Sequence, residues 1–217
     1  MIITIDGPSV SGKSTVAHLL AQELDYFYLN TGMLYRGFAY AVVRAQIDEI
    51  DVTDQKISDI IDHLSYTSNA QVIMQLNGKD ITHYLYLKDI DQAASKISAL
   101  SIVRKHIDAW QHALADGRNS VIDGRDSGSV VFAHADFKFY VTASDDVRAQ
   151  RWLKKQSEQG NTYSFDYALE QIRLRDQRDM NRAVSPLVIP KDATIITNDG
   201  SEPLAVVEQI KQLCFGI

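Results

Sequence analysis

The stretch Gly7-Pro8-Ser9-Val10-Ser11-Gly12-Lys13-Ser14-Thr15 constrains this chain more than any other. It fits G-x-x-x-x-G-K-[ST], a pattern whose backbone wraps around a chain of phosphates. Ile2-Ile3-Thr4-Ile5 before it is a β-branched apolar run, as a buried strand should be. Val16, Leu20 and Leu24 after it recur at helical i, i+4 spacing. The order strand, glycine-rich turn, helix aims backbone N–H groups and a helix N-terminus at anionic oxygens. Lys13 is expected to reach the β- and γ-phosphates of a nucleotide, and the Ser14 hydroxyl to hold Mg²⁺. Gly7 and Gly12 remove side chains where the backbone must wrap closely. An ordinary strand-to-helix turn is the competing reading, and it accounts for none of the fitted positions.

A length of 217 residues suits one α/β domain with a small insertion. The formal net charge of -6 argues against gripping a nucleic-acid backbone, which needs a basic face. The chain also lacks the basic cluster of a membrane-surface protein and any apolar run long enough to span a bilayer. The single cysteine, Cys214, has no internal disulfide partner and fits a reducing compartment. With the first strand starting at Ile2, there is no room for a signal peptide. The expectation is a cytoplasmic monomer acting on small molecules, with neither nucleic acid nor membrane as partner.

Strands are expected at residues 26–30, Ser120–Asp123, Phe137–Thr142 and Thr194–Thr197, in addition to the first. Helices are expected over about 33–45, 54–64, 102–115, 145–157, 165–182 and 203–213. Strands alternating with helices imply a five-stranded parallel sheet flanked by helices. The stretch Ala70 to Leu76 is strand-like, and Asn77-Gly78 is a strong two-residue hairpin signal with Lys79 to Thr82 returning antiparallel. A hairpin does not belong in a parallel series, so about 61–92, or on a longer reading as far as 98, reads as an insertion, with the core at about 1–60 and 93–217. Gly160-Asn161 breaks the chain after the 145–157 helix.

Ligands of open parallel sheets sit at the carboxyl ends of the strands. Besides the loop, three polar clusters lie past strand ends or on adjoining helices. They are Thr31 through Arg36, Asp123-Gly124-Arg125-Asp126, and Arg173 through Arg182. In the last, Arg175, Arg178 and Arg182 share one helical face, with Asp176 and Asp179 on an adjacent one. Alone, such a run is an exposed face with weak ion pairs. Arg36 and Arg125, at strand ends near the loop, tilt it toward a second phosphorylated substrate, because the guanidinium fork matches phosphate oxygens. Asp123 closes an apolar strand and could organise Mg²⁺ through water; otherwise it is a capping aspartate in a turn. Tyr35 is either a base-stacking ring or a core aromatic. The six histidines show no ligand spacing.

Ile5-Asp6-Gly7-Pro8-Ser9, Leu29-Asn30-Thr31-Gly32 with Tyr35-Arg36, Asp123-Gly124-Arg125-Asp126, and Arg175-Asp176 through Asn181-Arg182-Ala183-Val184 with Pro186-Leu187 resemble the bacterial cytidylate kinases. The resemblance covers essentially the whole chain. It implies a P-loop kinase fold whose antiparallel insertion binds the nucleoside monophosphate. It implies transfer of the γ-phosphoryl group of ATP to CMP or dCMP with Mg²⁺. It implies Lys13, Arg125 and Arg182 as catalytic residues, and residues 7–15 as the ATP loop. Ser95, Arg104 and Asp126 would contact cytosine, and Arg175 and Asp179 the sugar. Arg36, Arg125 and Arg182 would clamp the CMP phosphate, with Thr31, Tyr35 and Asp123 alongside. It implies a short lid over about 151–165, and Arg148 and Arg151 sit where that mobile lid would approach ATP. Val10 departs from the family, which often has glycine there, and Asn30 replaces a usual aspartate. Two rivals remain: a kinase for another small acceptor, such as another monophosphate or a shikimate-like compound, and a nucleotide-dependent switch. No Asn-Lys-x-Asp guanine motif supports the switch.

Overall fold

The computed structural model describes residues 1–48, 52–68 and 71–216. The chain divides into two compact units, one made of Met1–Tyr28 with Asn119–Ile217 and the other of Leu29–Arg118. The first holds β1 (Ile2–Asp6), α1 (Lys13–Leu24), the start of β2 (Phe27–Asn30), β6 (Ser120–Asp123), β7 (Phe137–Thr142), α6 (Asp145–Glu158), α7 (Phe165–Met180), β8 (Thr194–Thr197) and α8 (Pro203–Phe215). The main sheet has the order β2-β6-β1-β7-β8. Parallel pairing joins β1 to β6 and to β7, and β7 to β8. This is the expected five-stranded sheet. From β1 the chain winds to one edge through β2 and, later, to the other through β7 and β8, so the direction reverses around β1. Crevices at such reversals, outside the carboxyl ends of the strands, are where these sheets take ligands.

Ile3, Ile5, Val121, Ile122 and Val141 are fully buried, as central strands of a parallel sheet require. Val16, Ala17 and Leu20 bury one side of α1, which packs on α8, while α6 packs on α7. Strand β1 ends where Gly7 passes beneath β7. A Cβ at Gly7 would lie 2.1 Å from the carbonyl oxygen of Val141, and its φ of +153° lies outside the range side chains favour. Both facts demand glycine, because neither the strand carbonyl nor the turn can yield.

The second unit holds α2 (Thr31–Arg44), α3 (Asp54–Asp62), the antiparallel sheet β3 (Leu64–Ser68), β4 (Val72–Leu76), β5 (Lys79–Asp80), a 3₁₀ turn over Thr82–Tyr86, α4 (Lys88–Ile97) and α5 (Ser101–Ala115). Asn77 and Gly78 both have positive φ, at 52° and 74°, which is how a two-residue turn matches strand twist. Ala70, expected to open this strand, lies outside the described residues. Strand β3 and helix α4 went unread in the sequence. The unit is also wider than the insertion of about 61–92 read from the hairpin. The reason is packing: α2 lies against β4 and α4. Met74 of β4 is fully buried, and a Cβ at Gly37 of α2 would come within 2.9 Å of its sulfur. The Tyr66 hydroxyl accepts the N–H of Asn30 at 3.0 Å, tying β3 to the start of α2. On α5 the buried residues are Val103, Arg104, Ile107, Gln111 and Ala115.

Gly7→Ala should lower the unfolding free energy by about 2–4 kcal/mol, the sum expected of overpacking against rigid backbone and of a forced φ. Urea titration followed by circular dichroism measures it, and a midpoint equal to that of the unsubstituted chain would contradict the close approach.

Candidate active site

The phosphate loop leaves β1 at Gly7 and enters α1 at Lys13. Gly12 is the residue before the helix, with φ +91° and no side chain to cap it. The first N–H groups of α1 are therefore not taken by a side-chain cap from that residue. A Cβ at Gly12 would lie 2.5 Å from the Asn198 amide nitrogen, and the φ of +91° is one that side chains rarely adopt. Lys13 is 5% exposed, and its ammonium lies 3.4 Å from the Pro8 carbonyl. Burial drives its pKa down to about 7, and nearby Arg125 adds to the fall; Asp123, Asp179 and Asp6 pull the other way. Ser14 and Thr15 follow it at the exposed start of α1.

Asp123 ends β6 at 3% exposure, and Asp6 stands one residue past its neighbour in register on β1. The Tyr28 hydroxyl lies 3.1 Å from Asp123 Oδ2 and 3.3 Å from the Ser14 carbonyl oxygen. Asp123 is thereby held beside the first turn of α1. Ser14 and Asp123 are the expected oxygen donors for a divalent cation at this end of the loop. Among the described residues, no group of three or more His, Cys, Asp or Glu could hold a metal by itself.

Asp6 is fully buried and accepts the N–H groups of Ser127 and Gly128 at 3.0 and 2.7 Å. Burial raises its pKa to about 6 against those two hydrogen bonds, and Asp126 adds to the rise. Asp6 thus fixes the single π turn of Ser127–Val131, which Asp126 introduces at 7% exposure. Gly128 is pressed so closely that a Cβ there would meet Thr4 Oγ1 at 2.6 Å.

Arginines gather around Asp179, a fully buried residue near the end of α7. Arg125 Nε donates to its Oδ2 at 3.0 Å, Arg182 Nη2 donates to its Oδ1 at 2.5 Å, and Arg175 Nε lies 3.8 Å from Oδ2. Burial alone would raise the Asp179 pKa, but Arg125, Arg182 and Arg175 outweigh it and the net shift is downward. The charge run of α7 is therefore not an exposed face at Asp176 and Asp179, which are 8% and 0% exposed.

Arg148 and Arg151 lie on α6, which runs unbroken through the start of the stretch read as a lid. Arg148 is 5% exposed; its Nη1 donates to the Ser9 carbonyl at 3.1 Å and to Asp176 Oδ2. Arg151 donates to the Ser11 carbonyl at 3.0 Å and to the Asn198 carbonyl at 2.9 Å. Both side chains hold the phosphate loop from outside.

Thr31, Tyr35, Arg36, Ser95 and Arg104 belong to the second unit. Asn30 caps α2, its side chain accepting the Met33 N–H at 3.1 Å, so asparagine serves as well as aspartate here. Thr31 is the first residue of that helix. Arg36 donates to Asp91 at 2.7 Å and to the Gly32 carbonyl at 3.1 Å, and its guanidinium lies 5.7 Å from the Tyr86 ring centre. Arg104, 2% exposed, lies over the Tyr35 ring at 5.5 Å and donates to the Ser98 carbonyl at 3.1 Å. The Ser98 hydroxyl in turn donates to the Ser95 carbonyl at 3.0 Å. Tyr35 itself is largely buried, and its hydroxyl is 3.4 Å from Asp108.

Sequence reasoning gave no role to Asp6, Tyr28, Asp176 and Asn198, which support the loop and the strand ends. Asp6 carried a signal, as a carboxylate at a strand end before a required glycine. Asp176 shares a helical side with Asp179 three residues on. Tyr28 and Asn198 act across the fold and had no local signal.

Residues 3–214 match the family model described as cytidylate kinase. A cytidylate kinase of Clostridium botulinum (strain Langeland) is 36% identical over 208 residues, covering 96% of this chain and 94% of the relative. One of Mycobacterium leprae (strain Br4923) is 35% identical over 219 residues, covering 98% and 95%. One of Chlamydia trachomatis serovar D is 36% identical over 213 residues, covering 98% and 97%. Solved structures of an uncharacterized protein from Eubacterium ventriosum and of a Thermus thermophilus protein align with TM-scores of 0.53 and 0.50. They share 14% and 16% identity, cover 100% of this chain, and are themselves covered to 99% and 96%, a likeness of fold alone. The match of family model and relatives spans the loop, the Asp123–Asp126 turn and the arginine-rich helix together, and the chain belongs to the cytidylate kinase family.

Proposed function

We propose that this chain transfers the γ-phosphoryl group of ATP to CMP or dCMP, releasing ADP and CDP or dCDP. The observation that carries the reading is the wrapped loop with Lys13 buried beside Asp123, in the same compact unit as the arginines around Asp179. One end of that arrangement suits a triphosphate, and the other suits a second anion.

An oxygen of the CMP phosphate attacks the γ-phosphorus while the bond to the β,γ-bridging oxygen breaks. That acceptor oxygen is already ionised at neutral pH, so no strong general base is needed. The transition state spreads charge over several oxygens, and positioning and positive charge do most of the catalysis. Loop N–H groups and Lys13 take the ATP phosphates. Arg125 and Arg182 lower the repulsion between the two anions, with their guanidinium planes set by Asp179. Arg175 and Asp179 are the proposed sugar contacts, and Asp126 the proposed acceptor for the cytosine amino group. For the second unit we propose that Arg36 serves the CMP phosphate, that Ser95 and Arg104 serve the base, and that Thr31 and Tyr35 line their surroundings. Ser14 and Asp123 offer one hydroxyl and one carboxylate, a sparse oxygen set that fits Mg²⁺, which keeps waters and shares substrate phosphates. When bound, Mg²⁺ neutralises charge on the phosphate oxygens.

The reading is tested by ADP production with each common nucleoside monophosphate as acceptor. CMP and dCMP should give rapid turnover. A preference for another acceptor, or hydrolysis indifferent to CMP, would overturn it.

Arg182→Ala should lower kcat/KM for CMP by about 10² or more, the usual cost of removing a group that faces transition-state charge. KM for ATP should move by less than about threefold, since Arg182 is not part of the loop. Equal losses for both substrates in steady-state kinetics would contradict its placement on the acceptor side.

Lys13 predicts a proton linkage. Its amine is about half neutral near pH 7 in the unliganded chain, since its pKa there is about 7. Triphosphate oxygens favour the charged form, so binding raises that pKa. At about pH 8 nucleotide binding should take up close to ~1 proton, and at about pH 6 close to none. Affinity should therefore weaken as pH rises above 7. Calorimetry in buffers of different ionisation enthalpy reads the uptake, and Lys13→Ala should abolish it.

A further inference from the structure

We propose that Asp176 is a positioning residue that holds the unliganded phosphate loop in its wrapped form, by clamping the loop beside a strained valine. The inference rests on the reading that this loop takes ATP.

Val10 sits at the crest of the loop with φ +58°. A β-branched residue in the left-handed region is a genuine outlier, kept only where its surroundings over-determine it. The residues on either side of it are bound on several atoms. Before it, Ser9 donates its N–H and its hydroxyl to Asp176 Oδ1, at 2.9 and 2.8 Å. The Ser9 carbonyl accepts from Arg148 at 3.1 Å, and Arg148 is itself paired with Asp176 Oδ2 and with Asp145. After it, the Ser11 carbonyl accepts from Arg151 and from the Asn198 amide, both at 3.0 Å. The Val10 side chain packs against the cluster of Ala149, Ala168 and Ile172 between α6 and α7. Every polar atom of Ser9 is thus engaged, and on this side of Val10 Asp176 binds both the loop and Arg148, which binds it too, as Asn198 does with Arg151 on the other side.

The physical consequence is a pre-formed site. Without the clamp, Val10 would relax to negative φ, and the N–H groups of the loop would no longer converge. Binding would then have to restore the strain. Glycine at position 10 reaches φ +58° without strain, so it should need the clamp less.

Two measurements test this, one of them free of nucleotide. In hydrogen exchange of the unliganded chain, a peptide covering about residues 5–16 should exchange roughly tenfold faster in Asp176→Ala, and by a smaller factor in Asp176→Asn, which keeps an acceptor for Ser9 but faces Arg148 with an amide. Strand peptides from β7 should be unchanged. The dissociation constant for ATP should rise about tenfold in Asp176→Ala. Adding Val10→Gly to either variant should recover at least about threefold of both effects. Loop exchange equal to that of the unsubstituted chain in both Asp176 variants would overturn the clamp, as would a double variant no better than the single one. Exchange rising equally throughout the sheet would overturn it too, since that marks general destabilisation. If the loop responds as stated but the unsubstituted chain fails to bind ATP, the clamp stands and the kinase reading falls.

Discussion

The passage of the backbone at Gly7 beneath the carbonyl of Val141 is the constraint on which the site depends. It allows β1 to stop at the sheet's carboxyl edge and turn at once, without a side chain forcing the loop outward. The turn then has one course, because its flanking groups are already spoken for. Asp6 is committed to the N–H groups of Ser127 and Gly128, and Ser9 to Asp176. One strand end therefore organises two loops: its own, around phosphates, and the Asp126–Val131 turn. A carboxylate buried as deeply as Asp6 would be costly unless its oxygens were satisfied, and backbone N–H groups from a neighbouring turn satisfy them. The burial that raises its pKa is the same burial that makes the junction rigid.

Charge is handled by a comparable economy. Asp179 is fully buried among Arg125, Arg175 and Arg182; burial alone would raise its pKa, and the arginines turn the shift downward. Arg125, Arg175 and Arg182 thus share this one carboxylate. Asp179 orients the Arg125 and Arg182 guanidinium groups in the unliganded chain, and groups oriented in advance lose less side-chain entropy in any later contact. Lys13 works from the opposite condition. It is buried with weaker compensation, and its pKa falls to about 7.

Much of the core fold was legible because its signals are local. The β-branched runs at Ile2–Ile5 and Ser120–Asp123 carry parallel-strand character within a few residues, and Asn77-Gly78 announces its own turn. Strand β3 was not legible. Leu64 and Tyr66 alone face inward along it, between Ser65, Thr67 and Ser68, and so short an alternation is indistinct from loop sequence. Helix α4 did have a pattern, with Ile90, Ala93, Ala94 and Ile97 buried at helical spacing, but its alanines add little to an apolar stripe. The extent of the second compact unit was hidden for another reason. A unit boundary follows from which faces pack, and the contact of Gly37 with Met74 joins segments far apart in sequence.

The site was legible where backbone chemistry prescribes residue type, and illegible where pairing decides it. A loop that must wrap phosphates needs glycine at fixed positions and lysine at the helix start, so its pattern survives in any context. The arginine-rich stretch of α7 obeys no such rule. Asp166, Asp176 and Asp179 are chemically identical carboxylates on one helix. Their burial separates them: Asp176 and Asp179 are enclosed while Asp166 is exposed, because Arg125, Arg182 and Ser9 reach the first two from other elements. Charge spacing within the helix cannot reveal a partner that arrives from more than 160 residues away, as Ser9 does for Asp176. Reading such a helix as a solvated face is the natural inference from its own residues. What reverses it is that the partners of the loop's Ser9 and Ser11 come from α6, α7 and the end of β8, far away in the chain.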